Sequence, residues 1–224
     1  MGTEITFKRH DGGEARGYLS NAARADAPGL VVIQEWWGVQ EQIKAMCDRF
    51  ALAGFDALAP DLFKGVVVPY HDSEAAAKEM QSLNFVDATD QTVRGAVQFL
   101  KRNRAKAGIT GFCMGGAVAI IGAARIPELA AAVSFYGIPP EQAVKPGDVK
   151  IPLQGHFGNR DGHITPKVVD DFASALKGAG KTFEFFRYDA DHAFMNEQRM
   201  AAHDRQAAEL AWGRATEFLK KHLA

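Results

Sequence analysis

The chain is built from short aliphatic runs that alternate with longer amphipathic segments. The aliphatic runs lack polar alternation, which is typical of strands buried on both faces of a parallel sheet. The amphipathic segments repeat apolar residues every three or four positions, as a helix with one buried face does. Strands are predicted at residues 30–33, 55–59, 131–136, 150–157 and 182–188, with one more ending at residue 112. Helices are predicted around residues 43–51, from 73, and at 86–102, 166–180 and 201–223.

The first residues differ from this pattern and predict an N-terminal β-hairpin. Residues 4–9 and 15–19 are short alternating runs, and the Asp-Gly-Gly at 11–13 supplies the turn between them. Beyond the hairpin, strands and helices alternate with no linker, repeat or low-complexity stretch. We therefore expect an α/β fold with a single doubly wound, mostly parallel sheet, in one domain that spans residues 1–224.

Composition and charge argue against several classes of function. The 224 residues are 47% hydrophobic and 24% charged, with a formal net charge of −1 and no long basic run. No nucleic-acid or membrane partner is expected from such a charge distribution. The polar N-terminus lacks the apolar core of a signal peptide, and Cys47 and Cys113 show no disulfide framework. These features predict a cytoplasmic protein. A monomer or weak homodimer is expected, although none of these features determines the oligomeric state.

The sequence Gly-Phe-Cys-Met-Gly-Gly at residues 111–116 carries the clearest chemical signal. An apolar run ends there and a helix of small residues begins at once, which is the strand–turn–helix layout of a nucleophile elbow with Cys113 as nucleophile. Gly111 and Gly115 suit the tight turn, and Gly116 lets the helix approach the sheet. Helix N-terminal amides favour a thiolate at this position. A glycine-rich turn with a buried structural cysteine is the alternative interpretation.

A thiol nucleophile needs a base and an acid that orients it. His192 lies after the last predicted strand, and Asp161 lies at the end of the strand before it, so the order nucleophile–acid–His matches this architecture. Asp191 and Asp189 are weaker candidates for the acid because one adjoins His192 and the other suits a loop cap. Cys113, Asp161 and His192 are therefore predicted as a catalytic triad.

Other candidate sites are weaker. His156 and His163 flank Asp161, but the spacing of histidines and cysteines matches no metal motif, so no metal and no cofactor are expected. Cys47 falls on the apolar face of a predicted helix and is interpreted as packing. The oxyanion hole is expected from two backbone amides, those of Met114 and Trp36.

Several segments together resemble the dienelactone hydrolase family (carboxymethylenebutenolidase-like). They are Gln-Glu-Trp-Trp-Gly at 34–38, Pro-Asp-Leu-Phe at 60–63, the elbow at 111–116, Phe-Tyr-Gly at 135–137, Asp161, and Asp-His-Ala-Phe at 191–194. The resemblance covers nearly the whole chain. It implies an α/β-hydrolase fold and a triad of Cys113, Asp161 and His192. It also implies that Glu35 is a fourth participant that interacts with the resting thiol and exchanges partners with His192 when substrate enters.

A role for Glu35 in the site is also supported by its position in the sequence, independently of the family resemblance. Glu35 ends a buried aliphatic strand beside two tryptophans, where loss of solvation favours the protonated carboxyl. A loop carboxylate paired with a nearby Arg or Lys is the alternative.

The chain departs from the family where arginines hold the substrate carboxylate. One falls just after the Pro-Asp-Leu-aromatic stretch, where this chain has Lys64 or Gly65, and the other falls four residues after the catalytic His, where it has Asn196. Lys64 offers a point charge in place of an Arg fork, and Asn196 offers no charge. Arg199 has two interpretations: it reaches into the site, or, as the default, it is a solvated residue near the last helix.

The sequence thus predicts a cysteine-nucleophile hydrolase of small-molecule esters or lactones that forms a thiol acyl-enzyme. An esterase or thioesterase without dienelactone specificity and a non-catalytic binding protein on the same scaffold are the alternatives. Substrate-binding candidates are Trp37, Phe63, Lys64, Tyr70 and Phe194; Trp36 and Phe157 are further candidates for the pocket wall, with core packing as the competing role for each aromatic.

Overall fold

The computed structural model describes residues 1–101 and 106–224 and contains an eight-stranded sheet in the order β1-β2-β4-β3-β5-β6-β7-β8. The strands are β1 (Thr3–Lys8), β2 (Glu14–Ser20), β3 (Gly29–Ile33), β4 (Asp56–Pro60), β5 (Ala107–Phe112), β6 (Leu129–Phe135), β7 (Leu153–Gly158) and β8 (Phe183–Tyr188). All pairings from β4 to β8 are parallel. The carboxyl ends of these six strands therefore share one edge of the sheet.

The predicted hairpin is confirmed, and it extends the parallel sheet on one side. β1 pairs antiparallel with β2, and β2 pairs antiparallel with β4. The predicted stop of β4 before Pro60 is wrong by one residue, because the strand includes Pro60 opposite Gly17. The ladder between β3 and β4 already ends at Leu58, so the missing N–H of Pro60 removes no bond on that side.

Helices cover both faces of the sheet, as the doubly wound pattern predicts. They are α1 (Glu41–Leu52), α2 (Ser73–Ser82), α3 (Phe85–Asp87), α4 (Arg94–Lys101), α5 (Met114–Arg125), α6 (Pro166–Gly178) and α7 (Arg205–Leu223). Alternate residues of β3 enter two cores: Val31 and Ile33 pack on the side of α4 and α5, whereas Leu30 and Val32 pack on the side of α1 and α7. Within the described ranges, no helix has the length and apolar character needed to span a membrane.

Some helix boundaries differ from the prediction. The predicted helix 86–102 is α3, a π-helical segment (Ala88–Val93) and α4 in succession, and its last residue, 102, lies outside the described residues. The α2 cap is Asp72, the residue before the predicted helix start, and its carboxylate accepts from the Ala75 amide at 3.0 Å. The last helix begins at Arg205 and not at residue 201, because Asp204 caps it and the Asp204 amide donates to the Phe194 carbonyl at 3.1 Å.

Candidate active site

Cys113 lies on a strained turn between β5 and α5. Its φ of 55° and ψ of −118° are unusual for a non-glycine residue, which marks a position that the surrounding structure enforces. A Cβ on Gly111 would lie 2.1 Å from the Gly115 carbonyl oxygen, and one on Gly115 would lie 2.5 Å from the carbonyl oxygens of Ile33 and Gln34. Both glycines are therefore required by close backbone approach, as the elbow pattern predicts.

Asp161 and His192 come together at the same edge of the sheet. The His192 Nδ1 donates to Asp161 Oδ2 at 2.7 Å, and the Asp161 side chain is buried. The other oxygen, Oδ1, accepts from the amides of His163 at 2.7 Å and Ile164 at 2.9 Å. Burial raises the pKa of Asp161, but the hydrogen bond and charge of His192 and these two amides outweigh it, so the net shift is downward. Asp161 is thus a fixed anion behind the imidazole.

Cys113 is close enough to His192 to contribute to its pKa shift, so the three predicted triad members lie together. Burial lowers the pKa of His192, but the hydrogen bonds and charges of Asp161 and Cys113 raise it to about 10. An imidazolium donates from both ring nitrogens, so the nitrogen that Asp161 does not use is available to a partner on the side of Cys113. A thiol beside an acid–histidine pair is the arrangement that a cysteine nucleophile with its base requires.

The two backbone amides expected in the oxyanion hole belong to neighbouring segments of the chain. Met114 is the first residue of α5, directly after Cys113, and Trp36 follows the end of β3. β3 and β5 are adjacent parallel strands whose ladder ends at the pair Ile33–Gly111. The start of α5 thus lies against the loop that carries Trp36. The roles of both amides remain predictions.

Glu35 is buried beside the triad and is held by two neutral donors. The Tyr136 hydroxyl donates to Oε1 at 3.1 Å, and the Asn196 amide donates to Oε2 at 2.8 Å. Burial raises the pKa of Glu35, and these two hydrogen bonds, with the charges of His192 and Arg199, oppose the rise without cancelling it. Glu35 thus accepts hydrogen bonds from Tyr136 and Asn196, whereas Cys113 interacts with His192. The expected exchange of partners by Glu35 remains a prediction.

Sequence reasoning noted Tyr136 only as part of a family segment and Asn196 only in place of a family arginine, and it did not predict either residue as a partner of Glu35. Tyr136 follows β6 at the same edge of the sheet, with a φ of 41°, and its ring packs edge-on against the His192 ring at 5.1 Å between centroids. The position of Tyr136 at a strand end is the signal that sequence reasoning could have used.

The predicted pocket aromatics divide into two groups. Phe63, Phe157 and Phe194 are buried in the core, where Phe157 packs against Phe185 and Phe194 lies between the rings of Tyr136 and Tyr188. Packing therefore accounts for these three. Trp37 is also buried, but it meets the half-exposed rings of Trp36 at 5.0 Å and Tyr70 at 5.4 Å. This second group forms an aromatic wall beside Glu35.

The two candidate cations lie in different environments. Lys64 is exposed on a turn with φ of 54°. Arg199 is half-buried, and its guanidinium lies 5.7 Å from the centre of the Trp37 ring. Burial raises the pKa of Glu35 and of Tyr70, and the charge of Arg199 is among the smaller effects that oppose the rise. Of the two interpretations of Arg199, the structure supports the one in which it reaches the site.

The remaining polar candidates have structural partners. Arg160 forms ion pairs with both Asp189 and Asp191, which leaves Asp161 as the partner of His192. His156 is buried and hydrogen-bonded to Tyr188 at 2.8 Å and to Gln154 at 2.9 Å. Among residues 1–101 and 106–224, no three His, Cys, Asp or Glu residues are grouped to hold a metal ion.

Cys47 and Cys113, both free, differ in environment. Cys47 is fully buried on α1, and burial raises the pKa of its thiol far above the usual range. Cys113 is half-buried at the sheet edge. Cys47 is thus a packing residue, as predicted.

The sheet order, the elbow and the acid–histidine pair define an α/β-hydrolase. The model of the dienelactone hydrolase family matches residues 15–223. The chain belongs to that family, and it is therefore a hydrolase of the ester- and lactone-cleaving type.

Known proteins resemble the chain over its full length. It is 33% identical over 235 residues to a protein of Aquifex aeolicus provisionally named carboxymethylenebutenolidase, with all of both chains covered. It is also 33% identical over 232 residues to the Aquifex pyrophilus protein usf, again with full coverage of both. A crystal structure of a provisionally named dienelactone hydrolase from Klebsiella pneumoniae superposes with a TM-score of 0.85 at 28% identity, covering 96% of this chain and 97% of that one.

Proposed function

We propose that the protein hydrolyses small-molecule esters or lactones through a cysteine nucleophile, with Cys113, His192 and Asp161 as the triad. The observation that carries this proposal is that His192, which is hydrogen-bonded to Asp161, also interacts with Cys113 on the elbow. A binding protein would not need a charge-assisted acid–histidine–thiol chain on three separate loops. The proposal treats residues 1–224 as one functional domain and the cytoplasm as its compartment, since a free thiol nucleophile requires reducing conditions.

The proposed reaction has two halves. In the first, the Cys113 thiolate attacks the carbonyl carbon, and the C–O bond to the leaving alkoxide breaks as the His192 imidazolium gives it a proton. In the second, neutral His192 takes a proton from water, hydroxide adds to the thioester, and the acid leaves while Cys113 returns as a thiolate and His192 as an imidazolium. Donors from the Met114 and Trp36 amides would stabilise the oxyanion in both halves, and each such donor typically contributes about 10²–10³ in rate.

The proposal gives Glu35 an electrostatic role. Its carboxylate lies close enough to His192 for the two charges to interact, so an ionised Glu35 stabilises the imidazolium. Glu35 then acts on the resting thiol through His192.

The proposed substrate is a small ester or lactone whose apolar part rests on the Trp36–Trp37–Tyr70 wall. One relative carries a name that refers to carboxymethylenebutenolide, a lactone with a carboxylate. In this chain, a substrate carboxylate would meet Arg199, which lies on the same wall, in preference to the exposed Lys64.

A second candidate is an esterase or thioesterase without preference for anionic lactones. The neutral amide of Asn196, four residues after His192, favours it because this position offers no charge to a substrate carboxylate. A matched pair of aryl esters, one neutral and one carrying a distal carboxylate, separates the two. An anionic-lactone enzyme should show the lower KM for the charged ester.

Replacement of the nucleophile tests the mechanism. We expect Cys113→Ala to abolish turnover of an activated aryl ester while the far-UV circular dichroism spectrum stays unchanged. Cys47→Ala is the matched control and should retain activity, because Cys47 is buried on α1. Iodoacetamide should label Cys113 well before Cys47. Retained turnover in Cys113→Ala, or first labelling at Cys47, would contradict the proposal.

A further inference from the structure

Glu35 is held by donors from two separate segments of the chain. Tyr136 follows β6, and Asn196 lies in the loop between β8 and α7, so the two hydrogen bonds span 101 and 161 residues of sequence. Neither hydrogen bond is part of the triad. Together they occupy both oxygens of a carboxylate whose side chain is buried next to the reacting groups.

The orientation of the Asn196 amide is fixed by its other contacts. Its carbonyl oxygen Oδ1 accepts from the Gln198 backbone amide at 3.1 Å, so the NH₂ group must face Glu35. The Asn196 backbone amide donates to the Ala193 carbonyl at 2.9 Å, which anchors the residue in the loop that also carries His192. Asn196 therefore meets Glu35 as a donor, in a fixed direction.

Tyr136 is equally constrained. Its backbone has a φ of 41°, and its ring packs edge-on against both the His192 ring at 5.1 Å and the Phe194 ring at 5.3 Å. The tyrosine hydroxyl thus reaches Glu35 while the ring supports His192. One side chain connects the carboxylate to the triad.

We propose that Asn196 and Tyr136 are positioning residues that hold Glu35 away from the thiol, so that the Cys113–His192 pair is assembled before substrate binds. This inference rests on the proposed function, because it assumes that Cys113 is the nucleophile. A free Glu35 would otherwise be a competing partner for the thiol. Because the two hydrogen bonds direct the carboxylate toward Tyr136 and Asn196, the sulfur is left to His192.

The surrounding charges support this role. The titratable or charged groups whose interactions with Glu35 are resolved come from three segments: Tyr70 after β4, Tyr136 after β6, and His192 and Arg199 in the loop between β8 and α7. The hydrogen bonds of Asn196 and Tyr136 lower the pKa of Glu35 against the effect of burial. They therefore favour the ionised carboxylate, whose charge stabilises the imidazolium and, through it, the thiolate.

The pH dependence of Cys113 alkylation tests the inference without requiring turnover. Iodoacetamide labelling of Cys113 is followed by mass spectrometry between pH 4 and 10, and its midpoint reports the formation of the thiolate. Asn196→Ala removes one donor, so Glu35 becomes neutral more readily and the thiolate loses support. We expect the midpoint to rise by about one pH unit. Asn21→Ala removes an exposed amide in a remote loop and should leave the midpoint unchanged.

Two further variants separate positioning from a general effect on folding. Tyr136→Phe removes only the hydroxyl and should also raise the midpoint, even if Asn196→Ala disturbs the loop. Glu35→Gln removes the charge and should raise the midpoint by itself; in that background, Asn196→Ala should add no further shift. An unchanged midpoint in Tyr136→Phe and Asn196→Ala, or an undiminished further shift in the Glu35→Gln background, would overturn the inference. Failure of the proposed function would appear separately, as turnover retained by Cys113→Ala.

Discussion

Replacement of Asp161 by Asn tests the charge behind the imidazole with almost no change of shape. In the native protein, Asp161 Oδ1 accepts from two backbone amides and Oδ2 accepts from His192 Nδ1 at 2.7 Å. The amides of His163 and Ile164 would keep the oxygen of the new side chain on their side. The new NH₂ group would then face His192 Nδ1, which would have to act as an acceptor, and the imidazole would carry its proton on the other nitrogen.

The magnitude follows from the interactions that the substitution removes. The charge and hydrogen bond of Asp161 are among the factors that raise the pKa of His192 to about 10, so the variant should hold its imidazolium less firmly. The equivalent change in a serine triad reduces kcat by about 10⁴-fold. A thiol ionises more readily than a hydroxyl and depends less on its base. We therefore expect a loss of about 10³-fold in kcat for Asp161→Asn, equivalent to about 4 kcal/mol in the barrier.

The assay is steady-state hydrolysis of an activated aryl ester, with kcat and KM measured from pH 5 to 10. The loss should fall mainly on kcat, since Asp161 is buried behind His192. Asp189→Asn is the matched control, because Asp189 is exposed and pairs with Arg160. Near-native kcat in Asp161→Asn, or an equal loss in the control, would refute the assignment of Asp161.

Two further predictions concern the substrate and the elbow. Arg199→Ala should raise KM for a carboxylate-bearing lactone about tenfold more than Lys64→Ala does, and should change KM for a neutral ester little; equal effects of the two substitutions on the charged substrate would exclude Arg199 as the anchor. Gly111→Ala should lower the free energy of unfolding by about 3 kcal/mol or more in urea titration, because its Cβ would lie 2.1 Å from a carbonyl oxygen. Gly213→Ala, at an exposed helical position with open space, should instead stabilise by about 0.5–1 kcal/mol, and a similar result at both glycines would refute the steric argument.

The sequence was sufficient to predict the fold, and to predict that Cys113, Asp161 and His192 lie at one edge of the sheet, because both follow from local patterns. Apolar runs and helical periodicity give the order of strands and helices, and a parallel sheet brings the carboxyl ends of its strands to one edge. Cys113, Asp161 and His192 each directly follow such a strand end or lie in the loop beyond it. Their proximity therefore follows from topology, without knowledge of any side-chain conformation.

The sequence was insufficient where the geometry of a loop decides the contact. Asn196 reaches Glu35 only because the loop after His192 folds back on itself, with Ala193 at a φ of 66° and the Asp204 amide bonded to the Phe194 carbonyl. No periodicity encodes that path. The same loop turns Arg199 onto the Trp37 ring.

The two buried carboxylates of the site have opposite electrostatic environments, and this difference separates their roles. Asp161 accepts hydrogen bonds from two backbone amides and from His192, and its pKa is lowered despite burial. Glu35 accepts from neutral side chains, and its pKa is raised because burial dominates. When environments push the pKa values of neighbouring acids apart, one acid serves as a fixed charge and the other can change its protonation state. Asp161 is therefore suited to orient His192 throughout the proposed reaction, whereas Glu35 is the carboxyl whose protonation can alter the balance between thiol and thiolate.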